Sequence, residues 1–285
     1  MTRHFQTSLN KATSLTMLTV CVLFAGIILG ILGLVTGYLV WIGASSLSWS
    51  FFAQVPTGRP DHPGGMLHAI QGTAILVALA SAAGVPLGML TGVYLSEYNR
   101  ERWLVAPVRF VCDVLAGVPS IVVGILGYEL LVVPLGHYNG WAGAMALAFI
   151  MIPIVARTTE EMLRLVPNSY REASMALGAT KARTILRVVI PAAKGSIVTG
   201  IMLAVARVAG ETAPLLFTAL GSRLLTLDPN EPFPSLTVQI FNYATGPYPE
   251  FKRLAWAGIL VLIFLIFVLN MTVRYFARSA AREHS

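Results

Sequence analysis

Apolar residues in this chain run in long blocks, with polar positions gathered between them. Six stretches, at about 15 to 42, 69 to 95, 104 to 135, 140 to 162, 195 to 219 and 254 to 274, are predominantly apolar and can cross a bilayer. Each reaches the roughly 20 residues that a helix needs to cross a hydrocarbon core about 30 Å thick. The third holds Gly117, Pro119 and Gly124 together with Arg109, Asp113 and Glu129. It reads as a short interfacial helix followed by a broken span, with Arg109 and Asp113 as a structural pair and Glu129 reaching the interface. The pattern predicts an all-α polytopic membrane protein with six transmembrane helices. Residues 12 to 58 carry no charge, so the first stretch reads as an uncleaved span, far longer than the apolar part of a signal peptide.

Composition agrees: the 285 residues are 56% hydrophobic and 12% charged, with a mean hydropathy of +0.73. Globular domains carry about 25% charged residues, enough to cover a wet surface; this chain has too few. The formal net charge of +7 would raise nucleic-acid binding in a soluble protein, but its placement excludes that. Arg3, Lys11, Arg100, Arg102, Arg157, Arg164, Arg171, Lys181, Arg183, Arg187, Lys194, Arg274, Arg278 and Arg282 fall on one side of the predicted spans, and only Arg59, Arg223, Lys252 and Arg253 on the other. The positive-inside rule then makes both termini cytoplasmic and residues 163–194 a cytoplasmic loop. Cys21 and Cys112 lie in apolar stretches and read as small buried hydrophobes, with no disulfide or metal cluster. Gly26 and Gly30, Gly33 and Gly37, and Gly84, Gly88 and Gly92 mark close helix contacts, within this chain or with another.

The loop reads as helix, stop, helix. Asn168 or Ser169 caps a first helix that ends at Gly178, Thr180 caps a second, and Pro191 closes it. The first helix offers Met175, Ala176 and Leu177, either to a groove in a partner or to the membrane surface. The run Glu172-Ala173-Ser174, three residues, Gly178, nine residues, then Val188-Val189-Ile190-Pro191 resembles the EAA loop of importer-type ABC permeases, Glu-Ala-Ala, three residues, Gly, nine residues, Ile-x-Leu-Pro. In that family the short helix couples the bundle to a separate ATPase. No phosphate-binding G-x-x-x-x-G-K-[ST] loop occurs in the chain, nor a catalytic G-x-S-x-G or HExxH. The chain reads as a non-enzyme, with ATP and Mg²⁺ on the partner. His4, His62, His68, His137 and His284 are scattered and read as surface residues.

The fifth span places Arg207 about 12 residues inside, roughly 18 Å deep at 1.5 Å per residue. A charge at that depth costs about 2.5–3.5 kcal/mol or more unless paired or hydrated. Glu211 stands one turn on, and Pro214 removes a hydrogen bond to the Gly210 carbonyl and opens the helix there. Two readings stand: an Arg–Glu clamp between helices, or a watered pathway in which the guanidinium fork binds an oxyanion. Arg157, Glu160 and Glu161 form a second cluster, an i,i+4 surface pair or part of the exit path. Pro119 breaks the third span, so that a helix starting at Ser120 turns its first N–H groups to the path. Ser120 and Thr212, at the two breaks, join Arg207, Glu211, Arg157 and Glu160 as candidate pathway residues.

Residues 115–124, the loop, the run Gly210-Glu211-Thr212-Ala213-Pro214-Leu215-Leu216-Phe217 and Leu254-Ala255-Trp256-Ala257 together resemble one of the two inner-membrane permeases of the bacterial high-affinity phosphate ABC importer, over about residues 65 to 275. The run from Gly210 to Phe217 is the most specific and favours this permease over its companion. The resemblance implies a type I importer fold in the bacterial inner membrane. It implies a heterodimer with that companion permease, two copies of an ATPase, an extracytoplasmic phosphate-binding protein and inorganic phosphate as substrate. Glu172, Ala173, Gly178 and Pro191 carry the coupling loop by the same resemblance. It divides the chain into an N-terminal segment with the first span and its external loop (1–64), a permease core (65–275) and a tail (276–285). The loop from Gly221 to Arg253 is then an outer gate, a docking surface or an interfacial anchor. An importer of sulfate, molybdate or phosphonate, and an ion-coupled carrier using Glu211, are the rival readings.

Overall fold

The computed structural model describes residues 2–98 and 102–282, and among them the side chains of 13–98 and 103–272. Arg100 and His284, and the side chains of Arg3, His4, Lys11, Arg102, Arg274, Arg278 and Arg282, lie outside this description. Among the described residues the regular structure is helical, with two isolated bridges, Pro56 to Gly64 and Leu220 to Phe233, in place of any sheet.

Five helices are long and apolar enough to cross a membrane, and a sixth span exists if one bent pair is counted as a unit. The first is α1 (Thr2–Ser45), followed by the short α2 (Trp49–Ala53) and by α3 (Leu67–Glu97). The bent pair is α4 (Arg102–Gly117) and α5 (Ser120–Gly127), which meet at 104°. The bend falls at Val118–Pro119, where proline excludes the helical hydrogen bond. After α5 the chain passes through a π turn, Tyr128–Val132, into α6 (Val133–Leu135). There follow α7 (Gly140–Arg164), α8 (Asn168–Ala176), α9 (Lys181–Thr184), a second π turn at Ile185–Val189, and α10 (Ile190–Ala209). The last segments are α11 (Ala213–Thr218), α12 (Leu236–Thr245) and α13 (Pro249–Arg282).

The core lies between α3, α7, α10 and α11, built from Leu76, Ala80, Leu147, Met151, Val155, Ala204, Val208 and Leu215. Glycine lets α3 and α7 approach: a Cβ on Gly88 would fall 2.7 Å from Val155 Cβ, and one on Gly92 2.6 Å from the Ala156 carbonyl. No Cβ contact is that short, so these positions hold the two backbones together. The glycines of α1 behave differently: a Cβ on Gly26, Gly30, Gly33 or Gly37 would meet none of the described residues outside its own stretch of helix within 4 Å. Their helix touches the bundle near its end, where Gly43 meets Trp256 and Leu260 and Tyr38 sets its ring edgewise on Trp256.

Several expectations change. Cys21 is exposed on α1, because that helix packs so little of itself here, whereas Cys112 is buried. His62 and His137 are at the surface, but His68 is fully buried in the first turn of α3, beside Gln239. Pro167, not Asn168 or Ser169, occupies the N-cap position of α8, with no side-chain cap bond, and the Asn168 side chain instead accepts a bond from Arg171. Pro191 does not end a helix. The π turn before it bonds the Ile190 N–H to the Ile185 carbonyl, five residues back, and this wider turn takes up the proline. The same device precedes Pro134, where the Val133 N–H reaches Tyr128. Helix therefore runs from Lys181 to Ala209, and the predicted fifth span, 195 to 219, is the later part of it plus α11.

Candidate pathway and coupling loop

Helix α10 stops at Ala209, five residues before Pro214. Its last turn tightens, Gly210 N–H bonding to Arg207 and Glu211 N–H to Val208, both at 3.1 Å, and the helix resumes at Ala213 with Pro214 in its first turn. The break is thus where the sequence places it, but Arg207 stands in the final turn of α10 and Glu211 in the gap. The side chains pair loosely, Nε to Oε1 at 3.9 Å, with Arg207 58% exposed on the chain's flank and Glu211 16% exposed. The last carbonyls of α10 favour a cation at Arg207. Thr237 of α12 donates to the Glu211 carbonyl at 3.0 Å, satisfying backbone freed by the break.

The two breaks lie side by side. A Cβ on Gly124 would fall 2.8 Å from Pro214 Cα, and Gly127 meets Thr218, so α5 and α11 run in the same direction in contact. Their first residues, Ser120 and Ala213, therefore open toward one side, with Ser120 and Thr212 half-buried there. Burial also pushes the Tyr243 phenol on α12 above its ordinary range.

Arg157 and Glu160 belong to a separate layer. Gly200 of α10 packs on Thr158, and Arg207 lies seven residues further along, roughly 10 Å at 1.5 Å per residue. In this layer Arg157 holds Glu161 at 2.7 Å, as the i,i+4 spacing predicts, and also Asp113 at 3.1 Å. Glu160 is 2% exposed and takes both Arg109 and Arg164 on one oxygen, at 2.6 and 2.7 Å. The expected Arg109–Asp113 pair does not form: each turns across to α7, because α4 lies against that helix and Glu160 is buried between them. The six charges form two ion clusters of opposite net charge, Arg109–Glu160–Arg164 and Asp113–Arg157–Glu161, each tying α4 to α7.

In the loop, Gly178 adopts φ +85°, a conformation glycine takes without strain. The N–H groups of Gly178 and Ala179 return to the Met175 and Ser174 carbonyls, a Schellman end for α8. Thr180 caps α9 by accepting from Arg183. Glu172 and Ala173 are exposed, and so are Met175 and Leu177, the apolar pair offered by the end of α8. Ser174, which departs from the second alanine of the motif, bonds Thr184 at 2.9 Å and so joins α8 to α9. One residue escaped the sequence reading: Arg171 grips Glu97 at the end of α3 through both carboxylate oxygens, at 2.6 and 3.0 Å. Its neighbour Glu172 drew attention through the motif, while the partner Glu97 lies 74 residues away.

The family described as binding-protein-dependent transport system inner membrane component matches residues 84–282. The phosphate transport system permease protein PstA of Yersinia pestis is 43% identical over 244 residues, 83% of this chain and 83% of that protein. The same-named protein of Haemophilus influenzae is 44% identical over 246 residues, 84% of this chain and 87% of its own. Among solved structures, an inward-facing MetNI methionine ABC transporter superposes with a TM-score of 0.59 at 19% identity, over 76% of this chain and 94% of that one. A bacterial ABC transporter involved in import of the acidic polysaccharide alginate gives 0.60 at 13%, over 75% and 79%. At such identities these two speak for the fold, the type I importer permease. The chain belongs to the family of binding-protein-dependent transport system inner membrane components, and within it to the PstA group.

Proposed function

We propose that this chain is the transmembrane permease subunit of an ATP-driven importer of inorganic phosphate in the bacterial inner membrane. The observation that carries the reading is the meeting of a charged pair with a helix break: Arg207 ends α10, Glu211 stands in the gap, and Pro214 just beyond it packs on Gly124 of α5, the helix that follows the other break. Phosphate enters through the names of relatives above 40% identity, and an arginine at a break suits its chemistry. The guanidinium stays charged and offers two parallel donors to an oxyanion, while Glu211 orients it. Ser120 and Thr212 add donors at the same level, and Arg157 and Glu160 lie at the exit layer.

This chain supplies half the path, and a companion permease faces its exposed flank. Membrane lipid surrounds the pair, with both termini of this chain in the cytoplasm. Two copies of an ATPase bind ATP and Mg²⁺ outside this chain and press on the loop at Glu172, Ala173 and Gly178, and Pro191 stands in the continuous helix that follows. An extracytoplasmic binding protein delivers phosphate on the opposite side, at the loop from Gly221 to Arg253. ATP binding and release then swing the bundle between two openings.

Replacing Arg207 by Gln removes the charge at nearly constant size. In the assembled complex, uptake of labelled phosphate then falls roughly ten- to hundredfold, the loss of a charge-assisted hydrogen bond of about 1.5–3 kcal/mol. Unchanged uptake by an assembled, ATP-hydrolysing complex would remove Arg207 from the path.

A further inference from the structure

Glu97 ends α3 with its carboxylate 6% exposed, at a helix C-terminus where a negative charge is unfavourable. Arg171 of α8 answers it with a two-pronged contact: Nη2 to Oε1 at 2.6 Å and Nε to Oε2 at 3.0 Å. The same guanidinium donates to two carbonyls at the end of α7, Nη1 to Val166 at 2.7 Å and Nη2 to Leu163 at 2.9 Å. One side chain, 16% exposed, therefore ties α8 to the ends of α3 and α7 at once. Lys181, at the start of α9, adds a second hold by placing its ammonium 4.1 Å from the ring centre of Tyr98, beside Glu97.

These contacts lie on the face of the loop turned to the bundle. Glu172, Ala173 and Ala176 lie on the face of α8 turned away from Arg171 and are exposed, as are Met175 and Leu177 at its end. Helix α3 in turn is locked to α7 along Gly84, Gly88 and Gly92. A push on α8 thus has a short, stiff route into two long helices, whereas its covalent route into α10 passes through a π turn.

We infer that Arg171 is the positioning residue through which the loop drives the bundle: its fork on Glu97 and its bonds to Leu163 and Val166 carry displacement of α8 into α3 and α7. This rests on the reading of α8 as the surface an ATPase presses. A lysine at 171 keeps the charge but not the planar fork, so it holds Glu97 without holding both carbonyls.

The test uses the full complex in proteoliposomes, with companion permease, ATPase and binding protein, and reads three quantities: ATPase retained, ATP hydrolysed and phosphate taken up. Arg171→Gln and Glu97→Gln keep the ATPase bound, yet lower phosphate taken up per ATP by fivefold or more. Arg171→Lys lies between the wild type and Arg171→Gln. Where Glu97→Gln fails to assemble, Arg171→Lys carries the test with the same ratio. Wild-type uptake per ATP in the single variants would overturn the inference. So would release of the ATPase from both, since the pair would then merely shape the docking surface. A wild-type complex that never binds an ATPase would defeat the docking reading itself, a failure visible before any variant is made.

Discussion

Glu160 shows how far a residue's neighbours along the chain can mislead about its partners in space. Sequence spacing offers Arg109 to Asp113 and Arg157 to Glu161, and only the second pair forms. The first is displaced because burying Glu160 demands cations, and α4 brings Arg109 to it while Arg164 arrives from the next turn of α7. Glu160→Ala leaves both arginines crowded without their carboxylate. Its expected cost is about 1–3 kcal/mol, below that of a fully buried pair because Arg164 is half-exposed. Thermal unfolding in detergent checks this, and an unshifted midpoint would contradict it. The Arg171–Glu97 contact was equally invisible, since nothing local in either segment announces the other. Motif residues were legible for the opposite reason: Gly178 needs φ +85° wherever such a loop turns, and so it stands out by spacing alone.

Proline gave most of the legible element boundaries and also the main error among them. Pro119 and Pro214 mark real interruptions, each at or near the first turn of a new helix. Pro191 and Pro134 look alike in sequence, yet helix continues through them, because a π turn just upstream moves aside the carbonyls that the ring would strike. Whether a helix stops or widens at proline depends on what packs around it, which one-dimensional pattern does not hold. At the paired breaks the deciding neighbour is Gly124, whose missing side chain lets α5 sit on Pro214. Gly124→Ala puts a methyl against backbone on α11, an overpacking of about 1–3 kcal/mol. Melting temperature and phosphate uptake should fall together in this variant. A stable, fully active protein would mean that α5 and α11 are not rigidly joined.

At the scale of the molecule, the blocks of apolar sequence fall on the long helices, since crossing a membrane requires a length that composition reveals, but the fifth is shifted: its helix runs from Lys181 to Ala209 and not to 219. The break between α4 and α5 is legible in Pro119, but its angle of 104° depends on packing, including the ion pairs that hold α4 to α7. The exposed glycines of α1 and the exposed Arg207 belong to a surface that this chain does not cover by itself. Both fit a permease that works beside a companion, where an arginine on an open flank becomes one wall of a path. The central claim is that this assembly moves inorganic phosphate at the expense of ATP, and its most direct test is uptake of labelled phosphate by proteoliposomes holding the whole complex. The account predicts uptake that requires ATP and the binding protein and that excess sulfate or molybdate does not suppress. Uptake driven by an ion gradient without ATP, or abolished by sulfate, would contradict it.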